Sequence, residues 1–225
     1  MTVKSSVPQI LNILGKDIYY PNTYYFSRQK TVGEQITLEF PLPMSPENLE
    51  VTIYSPNQIP FELKEYHAVP LIIKPLWMDN EVRKLIEFTA DFSQQAGYLP
   101  LGNYINPTEE YVIMYKQDID GITPARVNRI TGLIKVSQKM FLRCTVPMRF
   151  YMMGHEMCHH TIPTPIEDKA DSCSFGYYSK LGFPDTEAYY AMSKVFKNTN
   201  HPRIQKLTKE ILLYDFSQRG ENKYF

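Results

Sequence analysis

The residues of this sequence that could perform chemistry are concentrated in an HExxH pattern formed by His155, Glu156 and His159. Two histidines four residues apart lie on one face of an α-helix, so both imidazoles can reach one tetrahedral metal ion. Glu156 would flank that ion without binding it, which is where a general base for a metal-activated water belongs. The pattern predicts a zinc-binding helix. The alternative is an ordinary buried helix whose histidines are satisfied by hydrogen bonds.

The residues before the pattern favour a buried helix. Positions 150–153 are all apolar or aromatic, and Pro147 suits the first position of a helix. The stretch from Met148 to His160 is long enough to hold the whole pattern.

A second predicted helix supplies a candidate third ligand. Thr164, Pro165 and Glu167 have the order of an N-cap, a first-position proline and a capping-box glutamate, and Gly182 ends the helix. A tight αα-hairpin would bring Glu167, in the first turn, close to His159 in the last turn of the preceding helix. Alternatively, Glu167 only closes the capping box.

The two stretches together resemble the HExxH and ExxAD motifs of the gluzincin metallopeptidases, in the residues His155, Glu156, His159, Glu167, Ala170 and Asp171. The resemblance implies that His155, His159 and Glu167 bind zinc. It also implies that Glu156 activates water and that Asp171 orients a zinc-binding histidine. A carboxylate behind a metal-binding imidazole fixes the imidazole tautomer and raises its basicity.

The connection between the two motifs, residues 160–166, is shorter than in most gluzincins. Asp168, Asp171 and His160 therefore stay open as alternatives for the third ligand. Asp171 could also be a solvated charge.

Composition bounds the class of protein. The 225 residues are 43% hydrophobic and 21% charged, which is enough to bury a substantial core. Lys plus Arg and Asp plus Glu both total 24, so net charge gives no clear signal for nucleic acid or an anionic membrane. Residues 194–225 are mildly basic, which favours a solvated helix face over a nucleic-acid patch.

The expected location is the cytoplasm. The N-terminus lacks the pattern of a signal peptide, and no apolar run reaches the roughly 18 residues needed to cross a bilayer. The three cysteines have no framework spacing, which fits a reducing compartment. Cys158 and Cys173 are therefore expected to be small buried residues with no special role.

The fold class is expected to be α+β, beginning with a small antiparallel β-domain or sandwich over residues 1–75. Residues 34–40 and 48–54 alternate apolar and polar side chains, as half-buried strands do. Nine of the 17 prolines precede residue 76, and Pro41, Pro43 and Pro46 argue against one continuous sheet.

Residues 76–225 are expected to form a zincin-like metallopeptidase domain. A helix capped by Asp79 or Asn80 and ended by Gly97 precedes strands at 111–115 and 128–138, with a turn-rich loop between them. This order resembles the N-terminal subdomain of a zincin. Residues 130–137 are the candidate edge strand for pairing with an extended peptide, although a fully paired internal strand fits equally well.

Two further helices are expected, at 185–198 and 202–216. They are predicted to cover the active-site helices. His201, Tyr177 and Tyr178 are the candidates for stabilising an oxyanion, with packing and capping as the alternative role of each.

The function that these observations favour is zinc-dependent hydrolysis of a polypeptide substrate. The alternative is a structural or adaptor component of a large or homo-oligomeric assembly, for example a virion, that retains a metallopeptidase-like domain.

Overall fold

The computed structural model describes residues 1–20, 23–38, 48–68, 80–108, 110–121, 123–197 and 200–221. Within these ranges the chain is α+β, with three β-sheets and six helices. The predicted domain boundary after residue 75 lies outside the described residues. So do Pro41, Pro43, Pro46 and Asp79.

The N-terminal region forms two three-stranded antiparallel sheets, with the strands β1 (Thr2–Ser5), β2 (Gln9–Asp17), β3 (Tyr24–Val32), β4 (Gln35–Thr37), β5 (Leu49–Tyr54) and β6 (Phe61–Glu65). Their orders are β4-β1-β6 and β3-β2-β5. The alternation predicted for residues 48–54 is confirmed, because β5 alternates half-buried and exposed side chains. Of the strand predicted at 34–40, the structure describes residues 34–38, and Gln35–Thr37 form β4. Residues 39 and 40 lie outside the described residues.

Helix α1 (Asn80–Gln95) leads into a four-stranded mixed sheet, with the strands β7 (Gly102–Ile105), β8 (Val112–Lys116), β9 (Ala125–Val127) and β10 (Ile134–Ser137). The order is β7-β8-β10-β9, with β10 parallel to β8 and antiparallel to β9. Of the two alternatives for residues 130–137, the edge strand is wrong and the fully paired internal strand is confirmed, because β10 lies between β8 and β9. The edge strand beside β10 is β9, most of which lies in the stretch predicted as a loop.

The C-terminal half is helical, with α2 (Gln138–Phe141), α3 (Val146–Thr161), α4 (Glu167–Lys180), α5 (Asp185–Phe196) and α6 (Pro202–Glu221). Helix α3 starts one residue before the predicted first position, Pro147, because Val146 is already helical. Pro147 lies in the first turn, and the Thr145 hydroxyl caps the helix by accepting from Met148 N. Gly182, with φ +79°, follows the end of α4 as predicted.

The predicted start of α4 is wrong in detail. The helix begins at Glu167 and its N-cap position is Ile166, which has no side chain able to cap. The Thr164 hydroxyl instead accepts from Ile166 N at 3.1 Å, within the turn before the helix. The Glu167 carboxylate is consequently not used for a capping box with Thr164.

Helix α3 runs through the centre of the molecule. Phe150 and Tyr151 on α3 share one hydrophobic core with Leu11 and Ile13 of β2, so the N-terminal sheets and the helices are packed together. Arg149 is 2% exposed, and its guanidinium donates to the backbone oxygens of Phe141, Cys144 and Ser93. A buried cation needs such partners.

In the described part of the chain, no helix has the length and apolar character required to cross a membrane.

Candidate metal centre

The turn between α3 and α4 brings three side chains together at one point. Nε2 of His155 lies 3.1 Å from Nε2 of His159 and 3.2 Å from Oε2 of Glu167. Nε2 of His159 lies 3.4 Å from Oε1 of Glu167. Around a tetrahedral zinc ion with ligands at about 2.0–2.1 Å, neighbouring ligand atoms are roughly 3.3 Å apart. Each histidine nitrogen is close to a different oxygen of the Glu167 carboxylate, and one ligand atom from each of the three residues lies within 4.8 Å of the others. The three side chains are therefore close enough together to hold one zinc ion.

The outer nitrogens of both imidazoles are held by acceptor oxygens. Nδ1 of His159 donates to the Thr164 carbonyl at 2.6 Å. Oδ1 of Asp171 lies 2.8 Å from Nδ1 of His155, at an angle short of a well-aligned hydrogen bond. An acceptor at Nδ1 keeps the proton there, so in the neutral ring the lone pair is on Nε2. The Nε2 lone pairs of both rings and the Glu167 carboxylate are then directed toward the same position between the three side chains.

Lone pairs so close together require a positive charge between them. In the metal-free protein a proton can provide it. Burial opposes protonation of His155, but the Asp171 and Glu167 carboxylates outweigh burial and raise its pKa to about 9. The hydrogen bond with His155, which outweighs the effect of burial, lowers the pKa of Glu167 to about 2. A metal ion would replace that proton and meet one carboxylate and two imidazoles, a ligand set that suits zinc.

Arg203 organises the carboxylates behind this cluster. Its Nε and one terminal nitrogen donate to Asp171 at 2.6 and 2.8 Å, and its other terminal nitrogen lies 2.9 Å from Oε2 of Glu167. Burial works to raise the pKa of Asp171, but hydrogen bonds from Arg203 and His155 hold it below its usual value. Arg203 is not among the site residues predicted from the sequence, where it is only one charge of the basic segment 194–225. Arg203 lies in the first turn of α6, and nothing in the sequence around it indicates which carboxylates it contacts.

Glu156 lies beside the cluster and makes a different contact. Its Oε2 accepts from the backbone N–H of Val127, in edge strand β9, at 2.9 Å. Burial raises the pKa of the Glu156 carboxyl above its ordinary value, in spite of the neighbouring His155. A carboxylate with a raised pKa is a better proton acceptor near neutral pH than an ordinary surface glutamate.

A disulfide between Cys158 and Cys173 joins the two helices that carry the cluster. Cys158 directly precedes His159, and Cys173 lies two residues after Asp171. The expectation that these cysteines have no special role is therefore wrong. Their spacing of 15 residues resembles no framework, and only the αα-hairpin brings them together. Cys144 is a free, buried thiol.

The cluster lines a cavity of about 390 Å³. Edge strand β9 forms one wall, and the opposite wall is mainly apolar, with Ala191, Met192, Val195 and Phe196 of α5. Tyr151, one turn before His155, also lines the cavity. Its hydroxyl is buried and has no hydrogen-bond partner in the described structure. The cavity is thus large enough for a side chain and is open to the candidate metal position.

The other predicted ligands lie elsewhere. Asp168 lies 3.4 Å from the Lys206 ammonium group, and Nδ1 of His160 lies 2.9 Å from the Arg129 carbonyl. Asp171 faces His155 from behind. Among the alternatives for a third ligand, the structure therefore brings only Glu167 to the inner nitrogens of the histidine pair.

The three oxyanion candidates do not line the cavity. The buried Tyr178 hydroxyl donates to the Pro184 carbonyl at 2.8 Å. His201 stacks on Phe196 with ring centroids 3.9 Å apart. Tyr177 is half-buried and packs against the core. These contacts are those of packing and turn stabilisation, whereas Tyr151 and Arg203 are among the polar residues that line the cavity.

Comparison with known proteins gives no relative: no family model, curated protein or solved structure matches the chain.

Proposed function

We propose that this protein is a zinc-dependent peptidase of the gluzincin type, with His155, His159 and Glu167 as the metal ligands. One observation carries the proposal: two imidazole nitrogens and a carboxylate converge with separations of 3.1 to 3.4 Å, close enough together to hold one zinc ion. The resemblance to the HExxH and ExxAD motifs supports the same reading.

Zinc in such a site supplies Lewis-acid activation of water and of the carbonyl that is attacked. Residues of the chain supply the base, orient the metal ligands and line the cavity. Glu156 is held by the Val127 N–H, and its raised pKa suits it to accept a proton from the attacking water. Asp171 and the Thr164 carbonyl keep both histidines in the orientation that exposes Nε2. The apolar wall of α5 limits the access of bulk water.

Strand β9 offers a polypeptide an edge on which to lie. Asn128 N donates to the Leu133 carbonyl, and Ser137 N donates to the Pro124 carbonyl. Bonded and non-bonded pairs alternate in an antiparallel ladder, so the backbone groups of Ala125 and Val127 point away from β10. The Val127 N–H is already bonded to Glu156, so an extended peptide can pair with the Ala125 N–H and carbonyl and with the Val127 carbonyl. Main-chain pairing of this kind tolerates varied side chains.

The test is to replace Glu156 with Gln, which keeps the shape of the side chain and removes its basicity. We expect peptide cleavage to fall by about 10²- to 10⁴-fold while zinc still binds with similar affinity. Glu34→Gln, at an exposed position far from the cluster in sequence, is the matched control and should cleave normally. Hydrolysis that persists in Glu156→Gln would show that Glu156 is not the base.

A second candidate function is the structural or adaptor role in a large assembly, such as a virion. The observation that favours it is the exposure of Leu212 and Leu213 on α6, at 62% and 70%. Light scattering separates the two proposals, because an active monomer argues against the assembly role and a closed inactive oligomer supports it. Cytoplasmic or virion location stays a prediction.

A further inference from the structure

The open edge of β9 carries an unbalanced positive charge. Arg126 in β9 lies directly opposite Lys135 in β10, and both side chains are exposed. Like charges at directly opposed positions on adjacent strands destabilise a sheet. The repulsion between the two cations destabilises the sheet, and an anion bound beside them would reduce it.

No carboxylate in the described structure forms an ion pair with Arg126, Arg129 or Lys135. The Arg126 Nε donates to the Thr123 hydroxyl at 3.2 Å, which is a neutral partner. The Arg129 carbonyl lies 2.9 Å from Nδ1 of His160, and Arg126 and Arg129 are both among the residues that line the cavity. This contrasts with Arg203, the third arginine of the cavity, which is paired with two carboxylates.

The charges that line the cavity also favour an anion. The arginines Arg126, Arg129 and Arg203 balance the carboxylates Glu156, Glu167 and Asp171. A divalent cation at the histidine pair would leave a surplus of about two positive charges. Complementary charge of this kind steers association and selects partners.

We propose that the substrate is an acidic polypeptide segment, in which an Asp or Glu side chain lies next to Arg126 when the segment extends along β9. This inference rests on the proposed function, because it assumes that β9 is the docking edge. Arg126 is then a specificity-determining residue.

The register of the strand determines which peptide residue meets Arg126. Ala125 is 2% exposed and Val127 is half-buried, whereas Arg126 points to the exposed face. Side chains of neighbouring strands at the same level lie on the same face, about 4.5–5.5 Å apart at Cβ. The peptide residue level with Arg126 therefore presents its side chain on the exposed face, beside the cation. Peptide residues on either side of it face the opposite way.

The inference can be tested with short fluorescein-labelled peptides of equal length that carry Glu, Gln or Lys at the same central positions. Binding to zinc-loaded Glu156→Gln protein is measured by fluorescence polarisation at low salt, so that cleavage does not interfere. An exposed ion pair is worth roughly two- to fivefold in affinity. We expect affinity to fall by about that factor from Glu to Gln and again from Gln to Lys.

Charge reversal at Arg126 provides the decisive comparison. In the Arg126→Glu background the order should invert, so that the Lys peptide binds more tightly than the Glu peptide. Lys4→Glu changes the net charge equally at an exposed position in a different sheet and should leave the order unchanged. Equal affinities for all peptides, absence of binding, or the same order after reversal at Arg126 would overturn the inference. A short oligothymidylate that binds as tightly as the Glu peptide would also overturn it.

Cleavage by the unmodified protein separates this inference from the proposed function. If the wild-type protein cuts a peptide mixture with no enrichment of Asp or Glu near the cut, the proposed peptidase function stands and the acidic preference is wrong. If no peptide in the mixture is cut, the proposed peptidase function is wrong. The polarisation measurement then still decides whether an acidic segment binds at β9.

Discussion

Replacing Glu167 with Gln should weaken zinc binding by more than about 100-fold, because the substitution removes the only anionic ligand of the cluster. Loss of a partner that merely supports a ligand typically costs about 10- to 100-fold in metal affinity. The Glu167 oxygens lie 3.2 and 3.4 Å from the two histidine nitrogens, so the carboxylate belongs to the inner set. The loss should therefore exceed that range, which corresponds to at least about 2.7 kcal/mol.

Asp168→Asn is the matched control for this experiment. It removes a carboxylate from the next position of the same helix turn, where Asp168 lies 3.4 Å from Lys206 and its side chain is 50% exposed. A surface pair of this kind contributes about 0–1 kcal/mol to stability and nothing to the metal site. Zinc affinity should be unchanged.

The assay is competition for zinc against a fluorescent chelator at fixed pH, with thermal unfolding of the metal-free variants to confirm that both fold. Wild-type affinity in Glu167→Gln would refute the assignment of the third ligand. An equal loss in Asp168→Asn would show that helix charge, and not coordination, determines the affinity.

Two further predictions follow from the same region. The neighbouring carboxylates raise the pKa of His155 to about 9, so zinc must displace a proton from this imidazole at lower pH. Apparent zinc affinity should therefore rise about tenfold per pH unit between pH 7 and 8.5, and an affinity that is flat over this range in calorimetry would contradict this. Reduction of the Cys158–Cys173 disulfide, which closes a span of 15 residues, should lower the free energy of unfolding by about 3 kcal/mol in the chain-entropy model. Denaturant titration with and without reductant measures it, and Cys144→Ala, which removes the free thiol, should leave the difference intact.

The sequence predicted the cluster because its signals are local. HExxH is read from helical periodicity, and Glu167 follows within one short turn, so both depend on contacts close in the chain. The same local rules misplaced the start of α4. Thr164 and Glu167 have the spacing of a capping box, but both groups have other partners: the Thr164 hydroxyl is used in the preceding turn and the carboxylate faces the histidines.

What the sequence did not reveal depends on distant contacts. Arg203 reaches Asp171 across 32 residues, and no local pattern indicates such a pair. Strand β9 has three residues, too few to show alternation, and it exists because it pairs with β10. Strand β2 was also missed. Leu11 and Ile13 face the core, but Ile10 before them and Leu14 after them are apolar as well, so the alternation is hidden.

The most direct test of the account is X-ray absorption at the zinc edge on the zinc-loaded protein, followed by the same measurement on Glu167→Gln. The account predicts one zinc ion bound by two imidazole nitrogens and a carboxylate oxygen at about 2.0–2.2 Å, with the oxygen ligand altered in the variant. Zinc that does not bind, or a spectrum dominated by sulfur at about 2.3 Å, would contradict it.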